Sequence, residues 1–293
     1  MKPTLTSVFS NLICAGAWQR VGGFFFLAVL MTAGNLMAGV LVAPTVVFLS
    51  ADNRTGRMTL QNLGDKSEEV TVFFSFGIPT ADSLGDVSVR LQDSAVTDPQ
   101  SCLDWVKAFP RRLILPPNAT QVVRFVANPP RDLADGEYWA RVVIKSQEAE
   151  PNIPKSTGEN QITTRLNMVM QTAIMLKYRH GDVFCELKLE GASAKFTEGQ
   201  VEVLVSTKNV GNASYVGVLD CRVVDADGRE VARRDVQLAV YRELRRRVHI
   251  PIPEGEFTRP FKVNLEISGK GRTDIAATDM LYGNDLAFSA AVE

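Results

Sequence analysis

Along residues 162–178, "ITTRLNMVMQTAIMLKY", apolar side chains fall on alternate positions. Ile162, Leu166, Met168, Met170, Ile174, Leu176 and Tyr178 take seven of the nine even positions, and Thr164 and Thr172 take the other two. The odd positions hold Thr163, Arg165, Asn167, Gln171 and Lys177, with Val169, Ala173 and Met175 as apolar exceptions. A period of two is that of a strand with one buried face. At roughly 3.3 Å per residue the run would span about 55 Å, where strands usually end near 20 Å. A short amphipathic helix is the competing pattern, since Leu166, Val169, Met170, Ala173 and Ile174 recur at helical spacing. It leaves Met168, Met175 and Leu176 off the stripe, whereas alternation accounts for nearly every position.

The same short period recurs on both sides. Before the long run come "TVVFLS" (45–50), "RMTLQN" (57–62), "EVTVFFSF" (69–76), "VSVRLQ" (87–92), "RRLILP" (111–116), "TQVVRFVA" (120–127) and "EYWARVVIKS" (137–146). After it come "FCELKLE" (184–190), "QVEVLVSTKN" (200–209), "YVGVLDCRVVD" (215–225), "REVARRDVQLAV" (229–240), "RRRVHIPI" (245–252) and "FKVNLEI" (261–267). Turn clusters separate them, and "DADGRE" reads as a hairpin turn because Asp-Gly tolerates positive φ. The pattern predicts an all-β protein of two immunoglobulin-like sandwiches in tandem, residues 39–178 and 179–293.

The first 38 residues differ from the rest. Lys2 and Arg20 are their only charges, and "VGGFFFLAVLMTAGNLMAG" gives a short apolar core followed by small residues. That is the layout of a secretory signal peptide ending at Ala38, and it is short for an uncleaved membrane anchor. Export to the periplasm is the expectation. Removal of residues 1–38 takes the net charge from -1 to -3, which gives no reason to seek nucleic acid. Cys102, Cys185 and Cys221 then remain, read either as a Cys185–Cys221 disulfide with one cysteine over or as three buried thiols. Two histidines, His180 and His249, are too few for a zinc site or most acid–base catalysis. No phosphate loop, metal motif or nucleophile elbow appears, so neither an enzyme, a cofactor nor a small-molecule substrate is expected. The densest charge cluster, "YRELRRR" at 241–247, is read as a charged strand edge that resists aggregation, with a basic docking patch as the alternative.

"CLDWVKAFPRRLILPPNATQVVRFVANPP", then "DGEYWARVVIKS", then the long strand ending "MLKYRH", resembles the PapD-like periplasmic chaperones that assemble fimbriae. The resemblance covers residues 44–179. It implies that the last strand of the first domain lends alternating apolar side chains to an unfinished subunit. On this sequence the donor positions are Leu166, Met168 and Met170, with Ile162 and Ile174 on the same face. It also implies that Glu137 and Arg179 fix the angle between the domains, and Arg124 fills the arginine position of its strand. The family's usual arginine and lysine anchor for a terminal carboxylate falls here on Val46 and Met175, neither of which can bind one. The function expected is a chaperone-like protein that binds a secreted or fimbrial subunit by strand donation without that anchor, with an outer-membrane usher as a further partner. The alternative is a structural or adhesive protein that forms a homodimer through the same strand.

Overall fold

The computed structural model describes residues 39–92, 96–149 and 168–293. The segment read as a signal peptide, and Ile162 and Leu166 of the long strand, lie outside the described residues. Strands are nearly the only regular elements of the described chain; its one helical element is a 3-10 turn at Leu103–Trp105. No helix there is long and apolar enough to cross a membrane.

The first half runs β1 (Val40–Ala43), β2 (Val46–Ser50), β3 (Thr55–Asn62), β4 (Glu68–Ser75), β5 (Pro79–Ala81), β6 (Val87–Val89), β7 (Val106–Phe109), β8 (Arg112–Leu115), β9 (Thr120–Ala127), β10 (Gly136–Glu148) and β11 (Val169–His180). One sheet has the order β1-β3-β9-β7 and the facing sheet β2-β11-β10-β4-β8. Alternation decides which side chains meet between them. Met58 and Leu60 of β3, Val123 and Phe125 of β9, and Val70 and Val72 of β4 point inward. Arg57, Arg124 and Val126 point out. The chain changes sheets at Pro44, between β1 and β2, where a residue without an N–H ends one ladder and the next begins.

The second half runs β12 (Leu187–Thr197), β13 (Gln200–Asn209), β14 (Tyr215–Val224), β15 (Glu230–Val240), β16 (Glu243–Pro251), β17 (Lys262–Ser268) and β18 (Leu286–Ala291). Its sheets are β12-β13-β16 and β15-β14-β17-β18. The β14–β15 turn is the one read from "DADGRE", with Gly228 at φ 79°. The protein is thus an all-β chain of two immunoglobulin-like sandwiches. Between their cores lies a third apolar cluster of Phe76, Trp139, Met175 and Tyr241, with one member from the second sandwich.

Several sequence expectations need correction. The long strand begins, among the described residues, at Val169, and "FCELKLE" starts three residues late but runs on to Thr197 through a bulge at Leu189/Gly191. Strands β1, β5 and β7 have three or four residues, too few for periodicity to reveal them, and β18 carries only two large apolar side chains, Leu286 and Phe288. Instead of joining the sandwich, "VSVRLQ" contributes β6 to a hairpin with β5 that packs on the second core through Ala81 and Val87. The "YRELRRR" cluster serves that contact. β16 is an edge strand, but Arg242 holds Asp98 at 2.8 Å, Arg245 donates to the Ser83 carbonyl at 3.2 Å, and Arg247 pairs with Asp86.

Of the two readings of the cysteines, the Cys185–Cys221 disulfide is set aside: Cys102, Cys185 and Cys221 are all buried free thiols. Cys185 sits beside Gly283 and the Tyr215 ring, at the start of β14. Cys221 lies six residues along that strand, about 20 Å away at 3.3 Å per residue, whereas a disulfide needs Cα atoms within about 7 Å.

Candidate functional site

β11 has two unlike halves. Its inner half pairs on one edge with β10 and on the other with β2, where Met175–Arg179 match Val46–Ser50 in parallel register. Ile174, Leu176 and Tyr178 enter the first core from there. Its outer half, Val169 to Ile174, pairs with β10 only, and its other edge has no ladder partner among the described residues. Met168 is 65% exposed, Val169 51% and Met170 39%. Met168 and Met170 share the parity of the core residues, so they prolong an apolar face beyond the point where the sandwich covers it. Ile174, expected among the offered side chains, is 4% exposed and belongs to the core. The reason is that the facing sheet still covers that position, although the β2 ladder begins one residue further on, at Met175.

The odd positions of the inner half, Met175, Lys177 and Arg179, face the second sandwich. Strand register sets Arg179 opposite Glu137 and Lys177 opposite Trp139. The Glu137 carboxylate is wholly buried, with Oε2 3.0 Å from Arg179 Nε and Oε1 3.2 Å from Lys177 Nζ. Trp139 Nε1 donates to Oε1 at 2.8 Å. From the second sandwich, Ser214 donates to Oε1 through its backbone N–H at 3.3 Å and also through its hydroxyl. The Glu137 N–H in turn donates to the Asn212 carbonyl at 3.0 Å, and Arg179 Nη1 to the Asp279 carbonyl at 2.8 Å. One carboxylate therefore gathers two cations of the first sandwich and the donors of the second.

Burial alone would raise the Glu137 carboxyl, but Lys177, Arg179 and the Ser214 and Trp139 donors together hold it at about 2. Its partner does not shift as a mirror image. Burial pushes the Lys177 ammonium down, Glu137 opposes this, and the Arg179 and Arg141 cations add to it. The ammonium also lies 5.3 Å from the Tyr241 ring, a favourable position over a π face.

Val46 and Met175 stand directly opposite one another in the β2–β11 ladder. Met175 is 4% exposed beneath Trp139 and Tyr241, and Val46 packs against the same cluster. Apolar packing with the second sandwich occupies the place where a charged pair was sought. Lys177, two residues on, is the counter-ion of Glu137. The parts that sequence reasoning missed are Lys177, Trp139, Ser214 and Asn212; the available signal was parity, since Lys177 and Arg179 must share a face. Among the described residues no cluster of His, Cys, Asp and Glu could hold a metal.

Fold and site together define a two-domain, all-β protein with a charged clasp at its junction and a strand half left open at one edge. No protein-family model matches the chain, and neither does any curated protein. Among solved structures it is similar to the YadV chaperone (14% identity, 86% of this chain and 98% of that chain, TM-score 0.44). It is also similar to the class 5 fimbriae chaperone CfaA (14%, 86% and 99%, TM-score 0.46). A third likeness is to the CsuC–CsuE chaperone-tip adhesion subunit pre-assembly complex of Acinetobacter baumannii (12%, 87% and 100%, TM-score 0.44).

Proposed function

We propose that this chain is a periplasmic, chaperone-like protein that binds a secreted or fimbrial subunit by lending it the outer half of β11. The observation that carries the reading is that open edge, Val169 to Ile174, together with exposed Met168 and Met170 on the face that continues the core. An incoming strand would complete the edge ladder with main-chain hydrogen bonds, while the two methionines fill its groove. Each methionine contributes roughly 1.5–3 kcal/mol on full burial, before ordering costs. Methionine is unbranched and adapts to irregular cavities, which suits a donor with more than one client. With Val46 and Met175 spent on the junction, this donation proceeds without a carboxylate anchor at those positions. Ile162 and Leu166 extend the same parity and are assigned to the donor face.

Co-purification from a periplasmic extract tests this. The Met168→Glu, Met170→Glu double variant should keep the native melting temperature, because both side chains are exposed, and should lose the bound partner. Unchanged partner recovery overturns the proposal. A homodimer that the same two substitutions convert to monomer would replace strand donation with self-association through the same edge.

A further inference from the structure

We propose a second peptide-binding site on the first sandwich, separate from β11, that takes an extended peptide through its carboxylates. A groove of about 870 Å3 runs between β2 and the outer faces of β3 and β9. Val46 and Phe48 form one wall, and Arg57, Thr59, Arg124 and Val126 the other. Among the described residues β2 is the last strand of its sheet and pairs with β11 alone. Its other edge therefore presents backbone groups without a ladder partner there, apart from the Ser50 N–H, which donates to the Asn53 carbonyl at 3.0 Å; such an edge is the template that an extended peptide extends.

Charge states what that peptide carries. Arg57 and Arg124 are directly opposite partners in the β3–β9 ladder, both exposed. Like charges in that arrangement repel. Among the described residues two arginines stand opposite in one other ladder, and there they are neutralised. Arg222 and Arg233 are opposite partners in the β14–β15 ladder, and Asp220 lies between them. Arg222 Nε and Arg233 Nε each donate to that carboxylate at 2.8 Å. No carboxylate among the described residues serves Arg57 and Arg124. The missing group is the one that Asp220 supplies elsewhere, and the guanidinium fork suits it in geometry as well as charge. Apolar surface flanks the pair: Phe109, the other ladder partner of Arg124, is 56% exposed, and Val122 and Val126 are about two-fifths exposed. A peptide alternating acidic and apolar residues matches both features. Asp279, on the groove's rim, offsets part of the positive charge.

The test is fluorescence anisotropy of the full chain with a labelled peptide of alternating valine and glutamate. Binding should weaken about tenfold or more in the Arg57→Gln, Arg124→Gln variant, and equally when the peptide carries glutamine instead. That variant should be no less stable to urea than the native chain, because it relieves a repulsion. Asp279→Asn should tighten binding, and N-methylation of the peptide backbone should abolish it. Met168→Glu with Met170→Glu should leave it unchanged, which keeps this site distinct from β11. Equal binding of the glutamate and glutamine peptides overturns the proposal, as does insensitivity to the arginine variant. Competition by inorganic phosphate without sensitivity to N-methylation would also overturn it, marking a simple anion site.

Discussion

Replacing Glu137 with glutamine keeps the side chain's shape and removes the negative charge that Lys177 and Arg179 share. Oε1 can still accept from Trp139 and Ser214, but the new amide turns its N–H groups toward the Arg179 guanidinium, donor against donor. Lys177 and Arg179 then share a buried site with no counter-ion, and removing one partner of such a pair costs about 3–5 kcal/mol. The lowered pKa of the carboxyl gives a second size. The folded carboxyl titrates at about 2 against an ordinary 4.5, a gap worth about 3 kcal/mol of linked stability.

The sign follows from the lowered value. That stabilisation is complete above pH 4.5 and is lost as pH falls through the folded value near 2. Urea unfolding followed by tryptophan fluorescence should therefore show Glu137→Gln weaker than the native chain by about 3 kcal/mol at pH 7, or roughly 6–12 °C in melting temperature. The gap should narrow steadily between pH 4.5 and pH 2. A loss below about 0.5 kcal/mol at neutral pH would refute the account, since that is the range of surface substitutions. So would a gap that stays constant into acid.

Two further outcomes are expected. Gly211→Ala places a Cβ against the Phe184 carbonyl oxygen and 2.6 Å from the Cys185 Cα; both are backbone atoms that cannot rotate aside, so thermal denaturation should show a loss of about 1–3 kcal/mol, and an unchanged melting temperature would contradict the close approach. Alkylation of the unreduced protein in denaturant, read by mass spectrometry, should modify Cys102, Cys185 and Cys221 alike, and a protected Cys185–Cys221 pair would restore the disulfide.

Side-chain parity was legible without the structure, and parity places Met168 and Met170 on one face and Lys177 and Arg179 on the other. Where the covering sheet stops was not legible. Alternation runs unchanged through Ile174, yet Ile174 is core and Met170 is exposed, because the limit is set by how far the facing sheet extends. Lys177 drew no role for a related reason: its neighbours across the junction are not local in the sequence. The Asp86–Arg247 and Asp98–Arg242 pairs join segments far apart in the chain, so no local pattern announces them. Motif order, by contrast, did draw attention to Glu137 and Arg179, whose meeting depends only on the β10–β11 register.

That register links the clasp to the open edge. A strand's side chains change face with every one-residue slip. Slipping β11 by one position would drive Lys177 into the apolar core now filled by Leu176 and Tyr178, and would strip Glu137 of a counter-ion. An unpaired buried ammonium costs several kcal/mol, more than either methionine contributes on burial. The inner half therefore dictates, through its charges, which residues of the outer half share the core's face. Met168 and Met170 are held on that face before any partner arrives, so part of the ordering cost of binding is already met within the folded chain. Weakening the clasp should accordingly reduce partner affinity even though no clasp residue lies on the exposed half of the strand.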